Sequence, residues 1–146
     1  MRRKNLRFSD YYNTIILDEI SKIYDVEKDR IFLGSRKQNF IHAKRMYFFV
    51  LRSVFNLTLM QIAQMTNMHH ASIIHHTKKF EFFYNNYSDD KDAFRQIEDR
   101  IIEVEVDEEI MALETKKKNI EESLTKLYII KKQKHEREKR ENLFAK

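Results

Sequence analysis

The feature that most constrains this chain is its near lack of glycine and proline: its 146 residues contain no proline and a single glycine, Gly34. Because the tight turns of strand-rich folds depend on these residue types, the sequence predicts an all-α protein and argues against sandwiches and barrels. One glycine also cannot build a Rossmann or P-loop phosphate cradle, each of which needs several. The chain has no cysteine, which excludes disulfides, thiolate zinc sites and cysteine nucleophiles and fits a reducing cytosol.

Charge is distributed unevenly along the chain. Residues 1–88 carry 14 basic and 7 acidic side chains, whereas residues 89–146 carry 14 basic and 16 acidic ones. A basic first part and an acidic extension suggest different partners for the two parts. The longest apolar run, residues 46–51, is too short for a bilayer, and no apolar signal core follows the basic start. We therefore expect a cytoplasmic protein that is not membrane-bound.

Apolar periodicity predicts a series of helices in the first part of the chain. A first helix is capped by Ser9 or Asp10 and ends near Tyr24, and a short helical piece follows within residues 25–32. Residues 33–38 form a loop in which Gly34 takes a left-handed conformation. The next helix covers residues 39–55, with an apolar side facing the core and an exposed positive side. The positive side carries Lys44, Arg45 and Arg52.

The segment after this helix predicts a helix-turn-helix. Thr58 and Gln61 match a capping box at the start of a short helix, residues 66–68 allow only a turn, and a longer helix runs from His69 to about Tyr84. Asn67 replaces the usual turn glycine because asparagine tolerates positive φ better than most residues. On the longer helix, polar and basic residues recur at steps of three and four along one face. This face consists of His69, Ser72, His76 and Lys79.

The four histidines at 69, 70, 75 and 76 raise the question of a metal site. Helical metal pairs need ligands four residues apart, and these histidines are separated by 1, 5, 6 and 7 residues with no nearby cysteine or carboxylate. No local serine, histidine and carboxylate set suggests catalysis either. We predict no metal, no cofactor and no enzymatic activity, and favour contact with DNA bases and phosphates at the start of this helix.

Residues 89–130 form a helical extension, and residues 131–146 form a charged tail that is frayed or disordered. The apolar stripe from Phe94 to Val104 is followed, out of phase, by a heptad-like stripe from Val106 to Leu127. Three readings remain open. The helix bends and packs on the domain, a second helix near Lys117 forms a hairpin or a coiled-coil dimer, or the acidic helix folds back and masks the DNA-binding surface.

Several segments between about Ile15 and Tyr84 together resemble the C-terminal DNA-binding domain of the bacterial replication initiator DnaA. The resemblance implies a Trp-repressor-like helix-turn-helix fold, covers about half of the chain and gives a first domain of residues 1–88. The matching segments are Ser35-Arg36-Lys37, Ala43-Lys44-Arg45-Met46, Thr58-Leu59-Met60-Gln61-Ile62-Ala63 and His69-His70-Ala71-Ser72-Ile73-Ile74-His75.

Carried over by position, the resemblance implies that Arg36 enters the minor groove and that the first turn of the longer helix reads bases. The base-reading residues are then Arg36, His70, Ala71 and Ser72, and the backbone contacts are Lys44, Arg45, Arg52, Lys78 and the main chain near Leu59. From their positions in the basic loop, at the helix cap or on the polar face of the longer helix, we add His69 to the predicted base-reading residues and Lys37, Thr58, His76 and Lys79 to the predicted backbone contacts. His69 replaces an aspartate of the family signature, and Ala71 and Ser72 replace two threonines. Because a good base contact is worth about 1–3 kcal/mol, we expect an altered sequence preference.

The ATPase module of the initiator is absent from this sequence, so we expect a stand-alone binder of double-stranded DNA. It would regulate replication or transcription in the cytoplasm, at the nucleoid, and such a free-standing domain would suit a phage or mobile element. The extension would mediate packing, a homodimer or contact with another protein. The alternative is a helical interaction or virion-structural protein that has kept the fold without sequence-specific DNA binding.

Overall fold

The computed structural model describes residues 6–145, which form five α-helices and one short 3-10 helix without any strand. The all-α prediction is confirmed. The elements are α1 (Asp10–Tyr24), a 3-10 helix (Lys28–Arg30), α2 (Gln38–Ser53), α3 (Leu59–Thr66), α4 (His70–Asn86) and α5 (Ser88–Phe144). None of the helices within residues 6–145 is long and apolar enough to cross a membrane.

Local capping interactions and backbone angles define where α1 begins and ends and shape the loop before α2. The Ser9 hydroxyl accepts a hydrogen bond from the backbone N–H of Tyr12 (3.3 Å), as an N-cap residue does. The helix ends at Tyr24, where Asp25 takes a left-handed conformation with φ of 52°. Gly34 also has a positive φ, 71°, as predicted for the loop before α2.

Helix α2 lies at the centre of the first part of the fold and packs against both α1 and α4. Its side chains Met46, Phe48 and Val50 are fully buried, and the hydroxyl of Tyr47 donates a hydrogen bond to Oδ1 of Asn13 on α1 (2.8 Å). Contact with two helices covers more of the circumference of α2 than one core-facing stripe would.

The predicted exposure of Lys44 is wrong for the same reason. Its side chain is only 8% exposed, and burial lowers the pKa of its ammonium group. The aliphatic stem of a lysine can lie along apolar surface while the charged end stays near its edge. Lys44 is therefore part of the α2 packing layer, and the exposed positive side of α2 is narrower than the sequence suggested.

An aromatic cluster joins α2, α4 and the beginning of α5. The ring of Phe49 lies 4.8 Å from that of Phe80 and 5.1 Å from that of Phe94, measured between ring centroids. Tyr84 packs edge-on against Phe94 at 5.5 Å. Ring pairs at these distances add about 0.5–1.5 kcal/mol each to the burial of their area. The cluster holds α4 against α2 and the beginning of α5.

Helix α5 is one uninterrupted helix. No second helix begins near Lys117, and the residues after Lys131 are helical to Phe144 rather than disordered. The chain divides into two compact units, the first ending at Glu103 and the second beginning at Val104. Within the first unit, Phe94, Ile97 and Ile101 of α5 are buried, so this unit extends beyond residue 88.

Candidate nucleic-acid interface

The helix-turn-helix is built from α3, a short turn and α4. Thr58 and Gln61 form the predicted capping box: the Gln61 N–H donates to the Thr58 hydroxyl (3.2 Å), and the Thr58 N–H donates to Oε1 of Gln61 (2.9 Å). Asn67 ends α3 in the left-handed conformation with φ of 53°, as predicted. Helix α3 packs against α4, and this arrangement leaves the first turn of α4 at the surface.

The first turn of α4 is open to a ligand. His69 is the N-cap residue with extended backbone, and its side chain makes no capping hydrogen bond. His69, His70 and Ala71 are exposed, while Ser72 is half-buried. Backbone N–H groups at such a helix start lack intrahelical acceptors and can donate to an anion such as a phosphate. Four of the five residues predicted to read bases therefore lie together at this turn.

A shallow cleft of about 670 Å³ borders this turn and includes residues outside the predicted interface. Met60, Ala63 and Gln64 line it from α3, residues 67–69 line it from the turn, and His70 and Ala71 line it from α4. The amide of the exposed Gln64 adds a donor and an acceptor beside the first turn of α4. The spacing 60, 63, 64, 67 places these residues on one helical face, and this signal could have identified Gln64 from the sequence.

Further along α4, the predicted backbone-contacting residues differ in exposure. Lys78 and Lys79 are exposed and border a shallow depression together with His75 and Phe82. His76 is half-buried, and its ring stacks on Phe48 with centroids 5.9 Å apart. Lys78 and Lys79 thus offer positive charge at the surface, whereas His76 belongs partly to the packing between α4 and α2.

The surroundings of His76 also disfavour its protonation. Burial lowers the pKa of its imidazole to about 4, with further contributions from the positive charges of Lys44, Arg45 and His75. Within the described residues, its buried Nδ1 atom has no hydrogen-bond partner. At neutral pH the ring is therefore uncharged, and the contact with the DNA backbone predicted for His76 would have to be a neutral hydrogen bond.

The arginines of α2 are partly engaged within the protein. The guanidinium of Arg45 lies 5.5 Å from the ring centroid of Phe83, and burial lowers its pKa. Arg52 is exposed, and its guanidinium donates a hydrogen bond to the carbonyl of Leu57 (2.9 Å), next to the cap of α3. This bond places Arg52 near Thr58 and Leu59, so three of the predicted backbone contacts lie at one corner.

The basic loop before α2 forms a separate part of the predicted interface. Arg36 and Lys37 are exposed, and Lys37 is the N-cap residue of α2. The Lys37 N–H donates to the hydroxyl of Ser35 (3.3 Å), which orders the loop at this point.

Among the residues that the structure describes, no group of three or more histidine, cysteine, aspartate or glutamate side chains could hold a metal ion.

Comparison with known families agrees with this geometry. Residues 14–80 match the family model described as the bacterial DnaA protein helix-turn-helix. Residues 14–80 are thus similar to a DnaA helix-turn-helix domain. The match includes the basic loop, α2, α3, the turn and most of α4, and it confirms the resemblance found in the sequence. Similarity to this family indicates double-stranded DNA binding related to the origin binding of replication initiators.

Proposed function

We propose that this protein is a stand-alone binder of double-stranded DNA in which the first turn of α4 enters the major groove and Arg36 enters the adjacent minor groove. The observation that carries the proposal is the exposed, uncapped start of α4 within a DnaA helix-turn-helix. A recognition helix that presents its N-terminal residues to base edges is the usual docking geometry of this motif.

Five exposed basic side chains support backbone binding around this turn: Arg36, Lys37, Arg52, Lys78 and Lys79. If each neutralises one phosphate, the logarithm of the binding constant falls with the logarithm of salt concentration at a slope of about −4 to −5. Raising the salt from about 50 to 200 mM should then weaken binding roughly 500-fold. Lys44 and Arg45 contribute less to this slope because they are more deeply buried.

The proposed biological role is regulation of replication or transcription by occupying DNA sites, without catalysis or a bound cofactor. The sequence has no P-loop, so nucleotide-driven assembly does not belong to the proposal. A DNA-bound protein of this kind would act at the nucleoid, in the cytoplasm, including that of a host cell if a phage or mobile element encodes it. Ala71 and Ser72, in place of the threonines of the family, should shift its sequence preference.

An electrophoretic titration of duplex DNA at several salt concentrations tests the proposal. We expect Arg36→Ala to weaken binding and to reduce the salt slope by about 1, and Ser72→Ala to change the preferred sequence. Arg30→Ala is the matched control, since Arg30 is also exposed but lies in the 3-10 helix outside the predicted interface. Absence of binding at low salt refutes DNA binding. Unchanged affinity and preference in both variants refute the groove assignment.

Self-association through the second unit is a further part of the proposal. From Val106 to Leu127, apolar side chains recur at steps of four and three, and all of them are exposed. Such a stripe is typical of a helix that pairs with another helix. It also favours the second candidate function, a helical interaction or virion-structural protein that does not bind specific DNA sequences.

Disruption of the stripe separates these two functions. In the full-length chain, Leu113→Lys combined with Leu124→Lys should abolish self-association. If the protein binds DNA as a dimer, the double variant then loses affinity for duplex DNA that carries two binding sites. If it is an interaction protein, neither the wild type nor the variant binds DNA. Sedimentation velocity and the same duplex titration measure the two properties independently.

A further inference from the structure

The second unit exposes a regular apolar stripe along one side of its helix. In a heptad, Ile110, Lys117 and Leu124 take the a positions, while Val106, Leu113, Ile120 and Leu127 take the d positions. The six apolar members are between 45% and 61% exposed. An uncovered stripe of this length marks a surface that is buried against a partner.

The charges beside the two ends of this stripe have opposite signs. Residues 104–114 contain five acidic side chains and no basic one, namely Glu105, Asp107, Glu108, Glu109 and Glu114. Residues 123–133 contain three basic side chains and no acidic one, namely Lys126, Lys131 and Lys132. A parallel pair would place acids beside acids and bases beside bases, whereas an antiparallel pair places each acidic end beside a basic end.

The heptad and the charges agree on one register. When two copies run antiparallel with residue 104 opposite residue 133, Ile110 faces Leu127 of the second copy, and Leu113 faces Leu124 of the second copy. The same register aligns the acidic segment 104–114 with the basic segment 123–133 along its whole length. It also places Lys117 opposite Ile120 of the second copy, where the lysine stem can cover the isoleucine. A parallel pair would instead oppose two Lys117 side chains at one a position.

We propose that the occupant of this stripe is a second copy of the chain, paired antiparallel in this register. The inference rests on the self-association proposed above and adds its direction and alignment. In this arrangement, the residues 104 of the two copies lie about 44 Å apart along the paired helices, since 29 residues of helix separate them at 1.5 Å per residue. The first units of the two copies are then connected to opposite ends of the paired segment and not to the same end.

Cysteine cross-linking tests the direction directly, because the chain has no cysteine of its own. In the antiparallel pair, position 113 of one copy lies about 16 Å along the axis from position 113 of the second copy, which is too far for a disulfide. Leu113→Cys and Leu124→Cys should therefore form no disulfide dimer alone and should form one when the two variants are mixed. Disulfide dimers of each variant alone would show parallel pairing and overturn the inference.

A control pair and the state of the unmodified chain complete the test. Met111→Cys mixed with Lys126→Cys should not cross-link, because these residues lie at the same level of the pair but at outward b and c positions. Added salt should weaken the dimer several-fold by screening attraction, whereas a parallel pair would be strengthened. A dimer in sedimentation without mixed cross-links overturns the register, and a monomer overturns both this inference and the proposed self-association. DNA binding is measured separately by titration and does not depend on these outcomes.

Discussion

Acidification should lower the free energy of unfolding of this protein, partly through protonation of His76. The ring is half-buried between α4 and α2, and its pKa in the folded state is about 4, against an ordinary value of 6.5. Below pH 6.5 the His76 imidazole binds a proton in the unfolded chain, whereas in the folded protein it stays neutral until the pH approaches 4. Stability is therefore lost as the pH falls from about 6.5 to about 4 and does not fall further from this cause below that value.

The magnitude follows from the two pKa values. Each tenfold change in proton affinity is worth about 1.36 kcal/mol, which gives an upper limit of about 3 kcal/mol for His76. Solvent reaches part of this side chain and screens its interaction with the nearby cations, so we expect about 1–2 kcal/mol. This is a substantial fraction of the stability of a small domain.

Chemical denaturation at pH 7.5, 5.5 and 4.5 measures the effect. The free energy of unfolding of His76→Gln should fall by about 1–2 kcal/mol less over this range than that of the wild type. His70→Gln is the matched control because His70 lies on the same helix but is exposed and does not contribute to the lowered pKa of His76, so this variant should keep the pH dependence that His76 causes. Acidic residues titrate in all three proteins and cancel in the comparison. Equal pH dependence of His76→Gln and wild type would refute the reasoning.

Three further predictions concern the stability of the helix-turn-helix, measured by denaturant titration. Thr58→Ala removes the capping box of α3 and should cost about 1 kcal/mol, whereas Thr115→Ala in the second unit should cost less. Asn67→Ala should cost about 1 kcal/mol because alanine tolerates positive φ poorly, while Asn67→Gly should be nearly neutral. Phe80→Ala should cost about 3–5 kcal/mol because its ring is 1% exposed and packs on Phe49.

Helix ends could be predicted from the sequence wherever the signal was local. The Ser9 cap, the Thr58 capping box and the left-handed Asn67 depend on hydrogen bonds and backbone angles within a few residues. A single sequence contains all the information that such features need. The same locality explains why the start of α4, which follows directly from the turn, was also placed within one residue.

The burial of charged and polar side chains on α2 and α4 could not be predicted in the same way. Periodicity identifies the most apolar side of a helix, but it does not tell how many neighbours the helix has. Because α2 packs against both α1 and α4, Lys44 and His76 lie in a layer that the sequence assigned to solvent. The exposed loop residues Arg36 and Lys37 were easier to place, since no helix packing decides their exposure.

The extension shows how a break in periodicity can be visible in a sequence while its cause stays open. No glycine or proline interrupts α5, and lysine is a good helix former, so residues 116–118 have no reason to end the helix. The change of phase between Val104 and Val106 has another cause. Two residues correspond to about 200° around a helix, so the stripe ending at Val104 and the stripe starting at Val106 are on different sides. The first stripe is buried and the second is exposed. The change of phase therefore coincides with the change from a buried to an exposed stripe within one helix, as expected if the second stripe pairs with another chain.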